Sequence, residues 1–172
     1  MAYTLPRHGL AVLSCIAAAL ALAGCGGGSS EAEAAKNAPK GVFISTSDCA
    51  NSGVLDHDTC SKGVSAAISE HNEKAPSYVT ERACETAEGT GRCERSIDTR
   101  YRRRLIAYFV RGGEKPEGKA LYVEPSKDGY VDLKKAPYLE SDATLTFSTQ
   151  ALASFQQHRG SKKYKAQSSF AR

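Results

Sequence analysis

Among the 172 residues there is no tryptophan and one methionine, and aromatic side chains make up 8% of the chain. That scarcity argues against a large recognition groove built on aromatic anchors. No Cys-x-x-Cys pair occurs, which removes the usual basis for a dithiol redox site. The six cysteines also lack the close spacing of a structural zinc site, so a site combining them with His57 or His71 is not expected. No metal or cofactor is implied. The longest apolar stretch, Leu10 to Leu22, is interrupted only by Ser14 and falls short of the roughly 20 residues a bilayer span needs. The formal charge of +4, reduced by one without Arg7, is too small to draw partners to the molecule as a whole.

The apolar stretch has a direction. Arg7 and His8 precede it, small residues Ala23 and Gly24 close it, and Cys25 follows, which is the layout of an export signal. "LAGC", Leu22 to Cys25, resembles the box of a bacterial lipoprotein signal, where cleavage precedes the cysteine and its thiol takes up diacylglycerol. The resemblance implies a signal over residues 1–24 and a lipid attachment at Cys25. Several acyl chains, at about 0.8 kcal/mol per buried methylene, hold a protein to a membrane without any spanning helix. In such proteins an aspartate after the cysteine favours the inner membrane. Gly26 stands there instead, so the resemblance leans to the outer membrane. Residues 25–40 carry small and polar side chains with nothing to bury; they are expected to form a flexible tether reaching roughly 20 Å.

Export also decides how the remaining cysteines are read. With Cys15 in the signal and Cys25 assigned to lipid, Cys49, Cys60, Cys84 and Cys93 are left. An even set in an exported chain predicts disulfides, with three possible connectivities. Cys49 to Cys60 and Cys84 to Cys93 are favoured because these partners lie close in the chain.

"GVFIST", Gly41 to Thr46, predicts a first strand, followed by turn residues Asp48, Asn51, Ser52 and Gly53 around Cys49. Asp58 or Thr59 then caps a helix whose apolar stripe is Cys60, Val64, Ala67, Ile68 and His71, ending before Pro76. A shorter helix begins at Thr80, presents Ala83, Cys84 and Ala87, and stops at Gly89. Leu105 to Val110 is a continuous apolar run of strand length, and residues 111–119 are expected to loop. Ala120 to Pro125 and Tyr130 to Leu133 form a hairpin across the Asp128-Gly129 pair. Ala143 to Ser148 predicts a fourth strand, and Thr149 to His158 a terminal helix capped by Ser148 or Thr149. The expected fold is small α+β: short helices stapled by two disulfides, then a small antiparallel β-sheet. Its domain spans residues 41–158, with a basic, disordered tail over 159–172.

"DCANSGVLDHDTCSKGVSAAISEHNEKAPSYVTERACETAEGTGRC", Asp48 to Cys93, resembles a family of bacterial envelope proteins carrying a domain of unknown function, DUF1190, which includes the UPF0441 proteins. The resemblance lies in the four cysteines, in Ala75, Pro76 and Tyr78, in Cys84 with Glu85, and in Gly89 with Cys93. "LYVEPSKDGY", Leu121 to Tyr130, is similar to a later aromatic patch of such proteins. Several members carry lipoprotein-like signals, so the resemblance implies an envelope location. It implies no catalytic residue, and the long low-complexity segment of many relatives is replaced here by a short basic end.

The candidate chemistry is weighed on charge. Asp56, His57 and Asp58 cluster but lack the ordered spacing of a calcium loop, so a solvated turn is expected. Glu81, Glu85 and Glu88 recur on one helix, where acid/base work on a glycan would require a facing acid. His71 is expected to be a core-edge histidine satisfied by the last turn of its helix. Arg100, Arg102, Arg103, Arg104 and Arg111 flank an apolar strand. A continuous strand would put Arg102 and Arg104 on one face with Ile106, Tyr108 and Val110, and Arg103 on the other. Such a stripe suits anionic lipid or polysaccharide phosphates, or charge protection of a strand edge. The leading expectation is a lipid-anchored envelope protein with a structural or protein-interaction role, not an enzyme. Its partners are the membrane through Cys25 and another envelope protein, or anionic lipid or polysaccharide. Nucleic acid is excluded by compartment. A cell-wall hydrolase is the rival from another class.

Overall fold

The computed structural model describes residues 37–124 and 126–168, with side chains through Arg159. The expectations for residues 1–24, for Cys25 and for the tether up to residue 36 lie outside the described residues. The fold is α+β, with four helices and two sheets among the described residues.

β1 (Lys40–Phe43) enters the larger sheet and leads to α1 (Thr46–Asn51). This helix stands where turn chemistry was expected around Cys49, because Ser45 is extended and its hydroxyl accepts the Asp48 N–H at 3.0 Å. The Asp48 carboxylate in turn accepts the Ile44 N–H at 2.9 Å, a reciprocal capping arrangement. α2 (His57–Lys74) starts just ahead of the expected cap at Asp58 or Thr59. Asp56 is the N-cap, accepting the Thr59 N–H at 2.9 Å, and Pro76 holds Ala75 extended at the other end. Cys60, Gly63, Val64, Ala67 and His71 are buried, whereas Ile68, expected on the stripe, is 40% exposed.

β2 (Ser77–Tyr78) precedes α3 (Glu81–Glu88), which Thr80 caps and Gly89, at φ 103°, ends as expected. Only Cys84 of α3 is buried; Ala83 and Ala87 face outward. β3 (Cys93–Arg95) and β4 (Tyr101–Arg103) form a hairpin, completing a three-stranded sheet in the order β2-β4-β3.

The larger sheet takes β5 (Ala107–Arg111), β6 (Glu117–Val123), β7 (Gly129–Val131), β8 (Pro137–Leu139) and β9 (Thr146–Phe147), in the order β8-β7-β6-β5-β1-β9. It is mixed, because β9 runs parallel to β1 with Gly41 opposite Thr146. The expected antiparallel pairing holds for the other strands of this sheet, and β8 was not foreseen. β6 begins inside the segment expected to loop. The β6–β7 hairpin, with Val123 opposite Tyr130, is as expected.

The apolar runs of β1, β5 and β6 follow from burial on both faces. Phe43 and Val110 point to one side, where they meet Cys49, Cys60 and Val64 of α1 and α2. Val42, Phe109, Leu121 and Val123 point to the other, against Ala151 and Phe155 of α4 (Thr149–Ser168). Ser148 caps α4, accepting the Ala151 N–H at 3.0 Å and donating to Asp48 at 2.6 Å. The helix passes the expected end at His158, and so enters the expected disordered tail, through Lys, Ala and Gln residues that favour helix. Both favoured disulfides are formed: Cys49–Cys60 ties α1 to α2, and Cys84–Cys93 ties α3 to β3.

Candidate functional site

The arginine-rich segment does not run as one strand. β4 stops at Arg103 and β5 starts at Ala107. Between them the Arg104 N–H is held by the Arg92 carbonyl at 2.6 Å, and the Leu105 N–H by the Glu94 carboxylate at 3.0 Å. The chain here steps from the small sheet to the large one, so the expected face-sharing of Arg102 and Arg104 with Ile106, Tyr108 and Val110 is broken.

The step separates the five candidate arginines. Arg102 is 7% exposed and is gripped by Asp98 through two hydrogen bonds of 2.7 and 2.8 Å. That pairing holds the Asp98 carboxyl at about 2, mainly through the hydrogen bond from Arg102. Arg100 is exposed at the hairpin and donates to the Ser77 carbonyl at 3.2 Å. Arg111 pairs with Glu117 in the large sheet. Arg103 and Arg104 alone of the candidates line a cleft. Gly91, Arg92, Ile106, Val123 and His158 complete its wall, and the cleft is small and partly open to solvent.

Three guanidiniums therefore meet at one opening. Arg103 is 6% exposed; it donates to the Val123 carbonyl at 3.0 Å and lies 5.0 Å from the centroid of the Tyr122 ring. Arg104 donates to the Cys93 carbonyl at 3.1 Å, and Arg92 to the Glu88 carbonyl at 3.3 Å. Among the described residues none of the three forms an ion pair with a carboxylate, in contrast to Arg102, Arg111 and Arg159. Burial, and then the charge of Arg103, lowers the pKa of Arg92, against the opposing influence of Glu124 and Glu88. A buried cation held by one carbonyl and one ring face is incompletely compensated. Each guanidinium carries five N–H donors, and the carbonyls take one apiece. The cleft offers donors and positive charge, which is the chemistry of an oxyanion receptor.

Arg92 was not among the expected residues. Its sequence position beside Cys93 carries no signal of its own; only the pairing that extends the β3–β4 ladder puts it beside Arg104. His158, on α4, reaches the cleft from the other side of the sequence, and its Nδ1 lies 2.8 Å from the Ser154 carbonyl.

The other candidates are structural. His71 is buried and its Nδ1 is 2.8 Å from the Tyr122 hydroxyl, so a strand tyrosine satisfies it, not the last turn of its own helix. Burial, then Arg102, lowers its pKa. Asp56 caps α2, Asp58 pairs with Lys62, and His57 is exposed in the first turn, so the expected solvated turn is a helix start. Glu81 lies in the first turn of α3, Glu85 accepts the Gly91 N–H, and Glu88 accepts the Tyr78 hydroxyl at 2.9 Å. Among the described residues no group of three or more His, Cys, Asp and Glu is placed to hold a metal ion. No helix among them is long and apolar enough to cross a membrane.

Comparison with known proteins gives one match. The model of a family described as protein of unknown function, DUF1190, matches residues 36–169. No curated protein and no solved structure matches the chain.

Proposed function

The chain belongs to the DUF1190 family, and from that premise we propose that it is an exported, non-catalytic binding module of the cell envelope that takes an anionic group between Arg92, Arg103 and Arg104. The observation that carries this reading is Arg103, nine-tenths buried at the cleft without a carboxylate partner among the described residues. A protein gains little in stability from an incompletely compensated buried guanidinium. It gains a site, because an arriving anion meets prepaid positive charge and preoriented donors.

Two disulfides support an oxidising compartment, and the "LAGC" segment supports attachment at Cys25. On this reading Cys25 carries the lipid, the outer membrane is the preferred location, and the segment between Cys25 and the folded domain is the tether. Labelling with a palmitate analogue should be lost in Cys25→Ala; a protein that stays unlabelled in its wild-type form ends the anchoring part.

Binding is tested separately, by flotation of the mature chain carrying Cys25→Ser with anionic and with uncharged vesicles at rising salt. Anionic vesicles should be preferred at low salt. Arg104→Gln should lose that preference and Arg100→Gln should keep it, since only Arg104 lines the cleft. Equal losses from both would place binding on diffuse surface charge and overturn the site.

A further inference from the structure

We infer that the group bound in the cleft is a terminal phosphate, a monoester in its doubly charged form. This rests on the anion-binding reading above and adds the class of ligand.

The charge count favours it. Arg92, Arg103 and Arg104 bring three positive charges to one opening, and no described carboxylate pairs with any of them. A carboxylate or a phosphodiester brings one negative charge and leaves most of the mutual repulsion in place. A phosphate monoester brings about −1.5 to −2 at neutral pH, with three terminal oxygens for three donor groups. Arginine is the side chain whose planar fork matches such oxygens. The cleft is small and partly open to solvent, so an end group fits there better than the middle of a polymer. Ile106 and Val123 in the wall supply low-dielectric surface that concentrates the field of the guanidiniums.

The charged and titratable groups facing the site come from several elements. Arg92 lies in the loop before β3, and Arg103 and Arg104 lie in β4 and the step after it. His158 comes from α4. Glu88 at the end of α3 and Glu124 after β6 act on Arg92. Tyr122 of β6 lies under Arg103, and burial raises its pKa. As pH falls from neutrality the ligand itself loses its second charge. Sulfate, dianionic throughout, reports the protein's share of the change.

The test is calorimetric titration of the full mature chain with Cys25→Ser, using glycerol phosphate, dimethyl phosphate, acetate and sulfate at about pH 7.5 and about pH 5. With a second ligand pKa near 6, glycerol phosphate should lose about tenfold in affinity relative to sulfate over that interval. It should also bind at least about tenfold tighter than acetate or dimethyl phosphate, and Arg104→Gln should remove the preference. Equal binding of the monoanions overturns the phosphate assignment and leaves an anion site standing. Binding of none of the four overturns the assignment and the anion reading with it. Vesicles containing phosphatidic acid separate the sources. Capture that glycerol phosphate competes away indicates a lipid headgroup. Binding of glycerol phosphate without vesicle capture indicates a soluble or polymer-terminal phosphate. Both of these results support the inference.

Discussion

Removing the disulfides one at a time should separate stability from binding. The two bridges close loops of similar length, with sequence separations of 11 and 9. Chain entropy therefore assigns each about 3 kcal/mol. Their surroundings differ. Cys49 and Cys60 are fully buried among Phe43, Val64 and Val110, so C49A/C60A also thins the main core and should cost about 3 to 5 kcal/mol in all. Cys84 is the one buried residue of α3, and Cys93 opens β3. The Cys93 carbonyl positions Arg104, and its neighbour Arg92 lines the cleft. C84A/C93A should cost about 3 kcal/mol and also loosen two of the three guanidiniums. Urea unfolding followed by circular dichroism reads the stabilities, and calorimetry with glycerol phosphate reads the site. The expected pattern is a larger stability loss for the first pair and a larger affinity loss for the second, measured where both variants remain folded. Affinity losses of equal size from the two pairs would refute the assignment of the cleft to the small sheet. A stability loss below about 1 kcal/mol would refute the entropy argument.

Three further outcomes follow from particular contacts. A Cβ added at Gly118 would collide with the Gly63 carbonyl oxygen and lie 2.6 Å from its carbon and 3.0 Å from the Ala67 nitrogen. Gly118→Ala should therefore push α2 off β6 and cost about 3 kcal/mol or more, in the range of severe overpacking; a melting temperature within a degree or two of wild type would refute this. His71 is held below its ordinary pKa when folded, so the unfolded chain binds its proton first and stability falls as pH drops below about 6.5. His71→Gln should flatten that slope, and an unchanged slope would exclude His71 as its source. Asp98, depressed to about 2 by Arg102, contributes stability above its unfolded pKa near 4 that is lost as pH falls toward 2; carboxyl NMR should find its midpoint near 2, and a midpoint near 4 would show the pair open in solution.

The helices were legible where a local signal marked them. Thr80 and Gly89 bound α3 by capping chemistry that needs no tertiary partner, and Pro76 stops α2 by sterics alone. The cysteine pairing was legible because short loops close at the lowest entropic cost. The sheet was harder to read. β8 and β9 span three and two residues, too few for any periodicity to register, and the parallel pairing of β9 with β1 joins segments about 100 residues apart. The arginine run misled because alternation assumes an unbroken strand, and the Arg92 carbonyl and Glu94 carboxylate break it.

The sequence by itself determined that the domain is disulfide-stapled α+β, because caps, turn residues and cysteine spacing act over a few residues. Tertiary structure alone decided which arginines are spent and which are available. Asp98 neutralises Arg102 within one hairpin, while at the meeting of two sheets and α4 none of Arg92, Arg103 and Arg104 forms an ion pair with a carboxylate among the described residues. Charge compensation depends on distances in space, and residues adjacent in the chain face different neighbours once the strand between them breaks.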